Sequence, residues 1–137
     1  MEKYKFIEDL TSDVLFEAYG KDLKELFTNA AEALLSVICN IKKVQPKKAE
    51  EYLIKADNIE DLMINWLQGI IAIVDTEQKF FSKVEVKEID KNHIKAKLFG
   101  EPITPELGET VVKAVTYYKY KFEKTDEGYK ATISLDI

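Results

Sequence analysis

The apolar positions change period several times along the chain, and each change marks an element. Residues 4–7 and 14–19 read as two short β-prone runs, the second closed by Gly20. From Leu23 the spacing turns helical. Leu23, Leu26, Phe27, Ala30, Ala31, Leu34, Leu35 and Ile38 share one face, with Lys21 or Asp22 opening the helix and Asn40 near its end. Pro46 then breaks the path. A strand is predicted over 51–56. Asp57 follows as an N-cap, with Glu60 three residues on to complete a capping box. The helix it opens carries Ile59, Leu62, Met63, Trp66, Leu67, Ile70, Ile71 and Val74. It is apolar on most sides and is expected to be the central, most buried helix.

The remainder is β-rich. Residues 80–89 and 93–99 alternate on either side of Asp90-Lys91-Asn92, which predicts a hairpin. Residues 100–108 hold two prolines and two glycines and form the longest loop. A long strand over 111–123 turns at Asp126-Glu127-Gly128 into a closing strand over 129–137. The order β-β-α-β-α-β-β-β-β predicts an α+β fold, two helices packed on a largely antiparallel β-sheet, as a single domain over 1–137.

Composition narrows this picture. A chain of 137 residues with 46% apolar side chains is long enough for one real core. The longest apolar stretch, 63–74, contains Asn65, Gln68 and Gly69 and falls short of the roughly 20 residues that cross a bilayer. The first residues lack the layout of a signal peptide, so a cytoplasmic protein with no membrane contact is expected. One cysteine, Cys39, excludes an internal disulfide and a Cys-based zinc site. The net charge of −5, with lysines interleaved among acids, disfavours direct, tight nucleic-acid binding.

The candidate chemistry is acidic. Asp136 stands beside Ile137, whose α-carboxylate is a second hard oxygen donor on the closing strand. Asp13 begins the second strand, and the two ends meet if those strands are neighbours. With no His or Cys close in sequence, an all-oxygen site for Ca²⁺ or Mg²⁺ is the sensible guest. An ordinary turn or cap aspartate is the competing reading. His93 belongs to a surface turn, and Cys39 reads as a buried structural thiol. Residues 100–108 lack the Gly-Lys-Ser/Thr ending of a phosphate loop. Tyr117-Tyr118-Lys119-Tyr120 reads as a base-stacking platform or, more simply, as half-buried sheet with Tyr118 and Tyr120 on one face. These residues define an acidic corner but no function.

Five segments, in order, resemble the archease family, small proteins that assist RtcB-type RNA ligases. They are Asp9-Leu10-Thr11-Ser12-Asp13; Ala18-Tyr19-Gly20-Lys21-Asp22-Leu23-Lys24-Glu25-Leu26-Phe27 with Asn29-Ala30-Ala31; Asp61-Leu62 and Trp66-Leu67 with Asp75-Thr76-Glu77 and Phe80-Phe81-Ser82; Val112-Lys113-Ala114-Val115-Thr116-Tyr117; and Leu135-Asp136-Ile137. The resemblance implies an accessory protein, not an enzyme. It implies promotion of GTP-dependent guanylylation and multiple turnover of a ligase that joins tRNA halves, with GTP and tRNA bound by the ligase. It also implies a divalent metal, Ca²⁺ first and Mg²⁺ or Mn²⁺ as alternatives, on Asp13, Asp136 and Ile137. The sequence departs from the family at Leu10 (histidine in relatives), Ser12 (alanine), Val111 (glutamate) and Tyr118 (histidine). Glu109, two residues before Val111, is expected on the same strand face and is a possible additional ligand. Rival classes are a metal-dependent hydrolase or nucleotide-binding enzyme, with Glu8, Asp9 or Glu109 as base, and a chaperone-like or nucleic-acid-associated protein.

Overall fold

The computed structural model describes residues 2–8 and 13–137. Asp9, Leu10, Thr11 and Ser12, and with them the Leu10 and Ser12 departures and the candidate base Asp9, lie outside the described residues. The elements follow the expected order: β1 (Tyr4–Ile7), β2 (Val14–Gly20), α1 (Leu23–Ile38), β3 (Lys48–Lys55), α2 (Ile59–Glu77), β4 (Lys79–Ile89), β5 (His93–Pro102), a 3-10 turn (Pro105–Leu107), β6 (Ala114–Thr125) and β7 (Gly128–Asp136). Every strand pair among them is antiparallel. The strands divide into a four-stranded sheet, β1-β2-β7-β6, and a three-stranded sheet, β3-β5-β4.

Of the two expected starts, Asp22 is the one that caps α1, its carboxylate accepting the Glu25 N–H at 2.8 Å. The helix packs on β2 in one sheet and on β4 in the other. Its alanines let both sheets approach, and nine of its 16 residues are buried. Seven of 19 are buried in α2, so α1 and not α2 is the central helix. Amphipathic spacing underrated α1 because alanine counts little as a hydrophobe, yet small side chains suit a helix held on two sides. The α2 cap also sits one residue later than expected. Asn58 accepts the Asp61 N–H at 2.8 Å, while the Asp57 carbonyl is taken by the Asn92 side chain at 2.9 Å.

The three-stranded sheet is fastened to α2 through Tyr52. Its ring stacks on buried Trp66, 5.2 Å between centroids, and its hydroxyl donates to the Trp66 carbonyl at 2.9 Å. The phenol crosses α2 at Gly69, where a Cβ would overlap the hydroxyl oxygen. The Trp66 indole N–H in turn donates to the Phe27 carbonyl at 3.0 Å, tying α2 to α1. At the β6–β7 turn Gly128 has φ +144°, which side-chain-bearing residues rarely adopt.

β6 starts at Ala114 rather than at Val111. The preceding residues serve α1 instead: Glu109 and Thr110 donate their N–H groups to the Ile38 and Val37 carbonyls, both at 3.0 Å. The end of a helix leaves such carbonyls without partners, and this segment supplies donors. The β6–β7 register then breaks. Thr116 pairs with Ser134 and Lys121 with Thr132, so five steps on β6 answer two on β7, three residues in excess.

Candidate acidic edge of the four-stranded sheet

β2 and β7 are neighbours, and the pairing ends at Val14 with Leu135. One register step further lie Asp13, in the bend that leads into β2, and Asp136, the last residue of β7. Asp136 also pairs with Ala114 of β6, and its carbonyl accepts the Lys113 N–H at 2.8 Å. The strand end is therefore held on both sides. Both aspartates are half-buried, and Ile137 beyond them is 39% exposed. The structure thus meets the condition set in the sequence analysis, that the strands of the two aspartates be neighbours.

Alternation along β7 places Asp136 on the same face as Ser134 and Thr132, opposite core residues Leu135, Ile133 and Ala131. Ser134 is fully buried and stands across from Thr116. The Ser134 and Thr116 hydroxyl oxygens are both buried without a hydrogen-bond partner. Nothing in the sequence singled out these two residues beyond the Ser-x-Asp spacing of 134 and 136. Among the described residues no three His, Cys, Asp or Glu side chains gather as a metal cluster. The donors that the structure brings to this edge are the two aspartate carboxylates, both oxygen. That donor set fits a hard divalent cation and not a soft one.

Glu109 does not share this edge's strand. It belongs to the segment beside the α1 end, so the strand-face relation expected between it and Val111 does not exist. It borders an open apolar cavity of about 760 Å³ lined by Ile38, Ile71, Val74, Phe80 and Val112, with Val111 81% exposed on the rim. Cys39 is buried nearby, its thiol donating to the Leu35 carbonyl at 3.4 Å. Burial, then the Glu109 charge, pushes that thiol up to about 12, which makes it a structural group and not a nucleophile.

His93 is not in the turn as expected but opens β5, half-buried and paired with Lys55 of β3, with Nδ1 2.9 Å from Asp90 Oδ1. The Asn92 N–H, followed by the His93 contacts, holds the Asp90 carboxyl below its usual range. The tyrosine run does not alternate as expected. Lys119 has φ +54°, and Tyr118 and Tyr120 part company. Tyr120 donates to the Glu60 carbonyl at 2.6 Å and meets exposed Tyr117 edge-on at 6.2 Å.

Residues 4–137 match the model of the archease protein family. The chain belongs to the archease family. The archease of Methanosarcina acetivorans is 38% identical over 142 residues, covering 99% of the chain and 97% of that relative. The archease of Sulfurisphaera tokodaii is 37% identical over 140 residues and the whole of both. Among solved structures, the solution structure of Methanobacterium thermoautotrophicum protein 1598 superposes with a TM-score of 0.82 at 31% identity over the full length of both chains. The crystal structure of a Thermotoga maritima archease, described as a possible chaperone, gives 0.69 at 19% identity over 96% of this chain and 95% of that one. The latter likeness is one of fold. Among the described residues no helix is long and apolar enough to cross a membrane.

Proposed function

We propose that the chain is a protein cofactor of an RtcB-type RNA ligase in tRNA splicing, acting in the cytoplasm beside that ligase. It promotes GTP-dependent guanylylation of the ligase and permits multiple turnover, while GTP and tRNA are bound by the ligase. The chain itself performs no bond-making step. Archease membership supports this reading, and the carrying observation is that Asp13 and Asp136 each lie one residue past the last pair of the β2–β7 ladder, Val14 with Leu135. In this reading Asp13, Asp136 and the Ile137 carboxyl hold a divalent ion, Ca²⁺ first, Mg²⁺ or Mn²⁺ otherwise. A bound ion supplies positive charge that offsets the charge developing on transferring phosphates. The protein's own part is to fix the carboxylates on a rigid strand end and to bring them to the ligase. A net charge of −5 suits docking to a basic surface.

The test is guanylylation of the purified ligase with Asp13→Ala or Asp136→Ala protein of unchanged circular dichroism. Stimulation is expected to disappear, and stimulation equal to wild type would overturn the reading. One residue appended after Ile137 is expected to weaken metal binding with the fold intact. A chaperone-like second reading is favoured by one observation, the exposed Val111 on the rim of the apolar cavity. It predicts that the chain suppresses aggregation of an unrelated heated protein and that Val111→Asp abolishes this.

A further inference from the structure

We infer that Ser134 and Thr116 are positioning residues of the acidic edge: their hydroxyls hold an enclosed water that hydrogen-bonds to the Asp136 carboxylate and orients it toward a divalent ion. The inference rests on the metal reading above and extends it to two residues on the sheet.

Three observations carry it. The row that crosses the sheet at this level is Ile7, Leu15, Ser134 and Thr116. It lies on the face turned away from Phe16 and Ile133, where solvent is expected, yet Leu15 is 5% exposed and Ser134 is fully buried. The centre of the row is therefore closed, with half-buried Ile7 and Thr116 on either side of it. Within it, two hydroxyl oxygens stand opposite each other without any hydrogen bond, either mutual or to another group. A buried hydroxyl without a partner costs stability, and valine and alanine would fill these places at no such cost. A guest that both hydroxyls can bind removes the cost, and a water needs two or more such partners.

The third observation is spacing. Asp136 is two residues beyond Ser134 on the same face, about 7 Å along the strand. Two consecutive hydrogen bonds of about 2.8 Å each, joined at a water, span most of that distance. A carboxylate ligand oriented by such a hydrogen bond binds its ion more tightly, because its rotamer is fixed before the ion arrives. The hydroxyls thus act through Asp136 and do not touch the ion.

The experiment uses the full-length, untagged chain. Calcium and manganese affinities are measured by calorimetry for wild type, Asp136→Asn, Ser134→Ala, Thr116→Val and the last two combined. Thermal midpoints of the metal-free proteins are recorded alongside. Each hydroxyl variant is expected to bind metal at least fivefold more weakly. The combined variant should lose little more than either one, since both remove the same water. The metal-free midpoint should stay level, because the Asp136 carboxylate is half-buried and bulk water can replace the contact that is lost. Affinity within twofold of wild type for Ser134→Ala and Thr116→Val, with Asp136→Asn binding lost, would overturn the inference and leave the metal reading standing. A fall in both affinity and metal-free midpoint would mark the hydroxyls as merely structural and overturn it too. No saturable binding by wild type, or unchanged binding by Asp136→Asn, would overturn both.

Discussion

The outer faces of the two sheets obey the same alternation and end in opposite states. On the three-stranded sheet Glu51, Lys97 and Glu85 stand side by side across β3, β5 and β4, and Lys83 lies 5.1 Å from the centre of the Phe99 ring. Opposite charges interleave, and water reaches most of them. On the four-stranded sheet the equivalent outward row is Ile7, Leu15, Ser134 and Thr116, and its centre is closed. Period-two patterning therefore says which side of a sheet a residue takes. It does not say whether that side is wet. The two states also differ in what they can do: a wet lysine-glutamate lattice is a solvated surface, whereas a dry row of hydroxyls ending in carboxylates at a pinned strand end is a place to hold something.

The largest expected effect comes from forcing the dry row to behave like the wet one. Ser134→Glu places a charge at a fully buried position, and unpaired buried charges cost about 3–5 kcal/mol. Urea unfolding should show that loss. A loss below about 1 kcal/mol would mean that solvent reaches the row and that the two faces are alike. Next in size is Gly69→Val, which tests how the wet sheet is held from its inner side. The added side chain meets the Tyr52 hydroxyl, and overpacking of this kind costs about 1–3 kcal/mol. A neutral result would show that the Tyr52–Trp66 stack is not what fastens β3 to α2.

The seam between the sheets gives a pH-dependent test. Cys39 is buried at the end of α1 and donates weakly to the Phe81 carbonyl of β4 at 3.6 Å. Its thiol is pushed up to about 12 from 9.0, by burial first and the Glu109 charge second. The folded state therefore keeps a proton that the unfolded chain gives up. Its contribution is whole below pH 9 and declines as pH rises from 9 toward 12. Unfolding at pH 8 and pH 10.5 should show a steeper fall in stability for wild type than for Cys39→Ala. Parallel falls would place Cys39 in contact with water.

Much of this was legible in the residues. The nine-element order, the α1 cap at Asp22 and the hairpin around Asp90 follow from local spacing, and local spacing is what sequence records. The nearness of Asp13 and Asp136 was legible only as a condition on strand neighbours, and β2 and β7 are neighbours. What failed was long-range. Residues 111–113 look like strand, but the segment just before them is claimed by the open carbonyls of α1, so Glu109 leaves the strand face. Tyr118 and Tyr120 look like alternate residues until Lys119 takes a positive φ. Ser134 and Thr116 look solvated because small hydroxyl residues usually are, and nothing in their own neighbourhood says that the row is closed.

The smallest expected effect is the complementary change on the wet face. Lys97→Ala removes the central charge between Glu51 and Glu85. Exposed ion pairs gain little in high dielectric, lose side-chain freedom and are screened by salt, so the change should stay within about 0.5 kcal/mol. In 1 M salt, where the screening length is about 3 Å, even that difference should vanish. Urea midpoints at low and high salt measure both. A salt-independent loss above about 1 kcal/mol would show that the lattice is a dry structural network. The contrast with the Ser134 row would then lie in charge alone, and burial would no longer explain why only one of the two faces carries unpartnered hydroxyls.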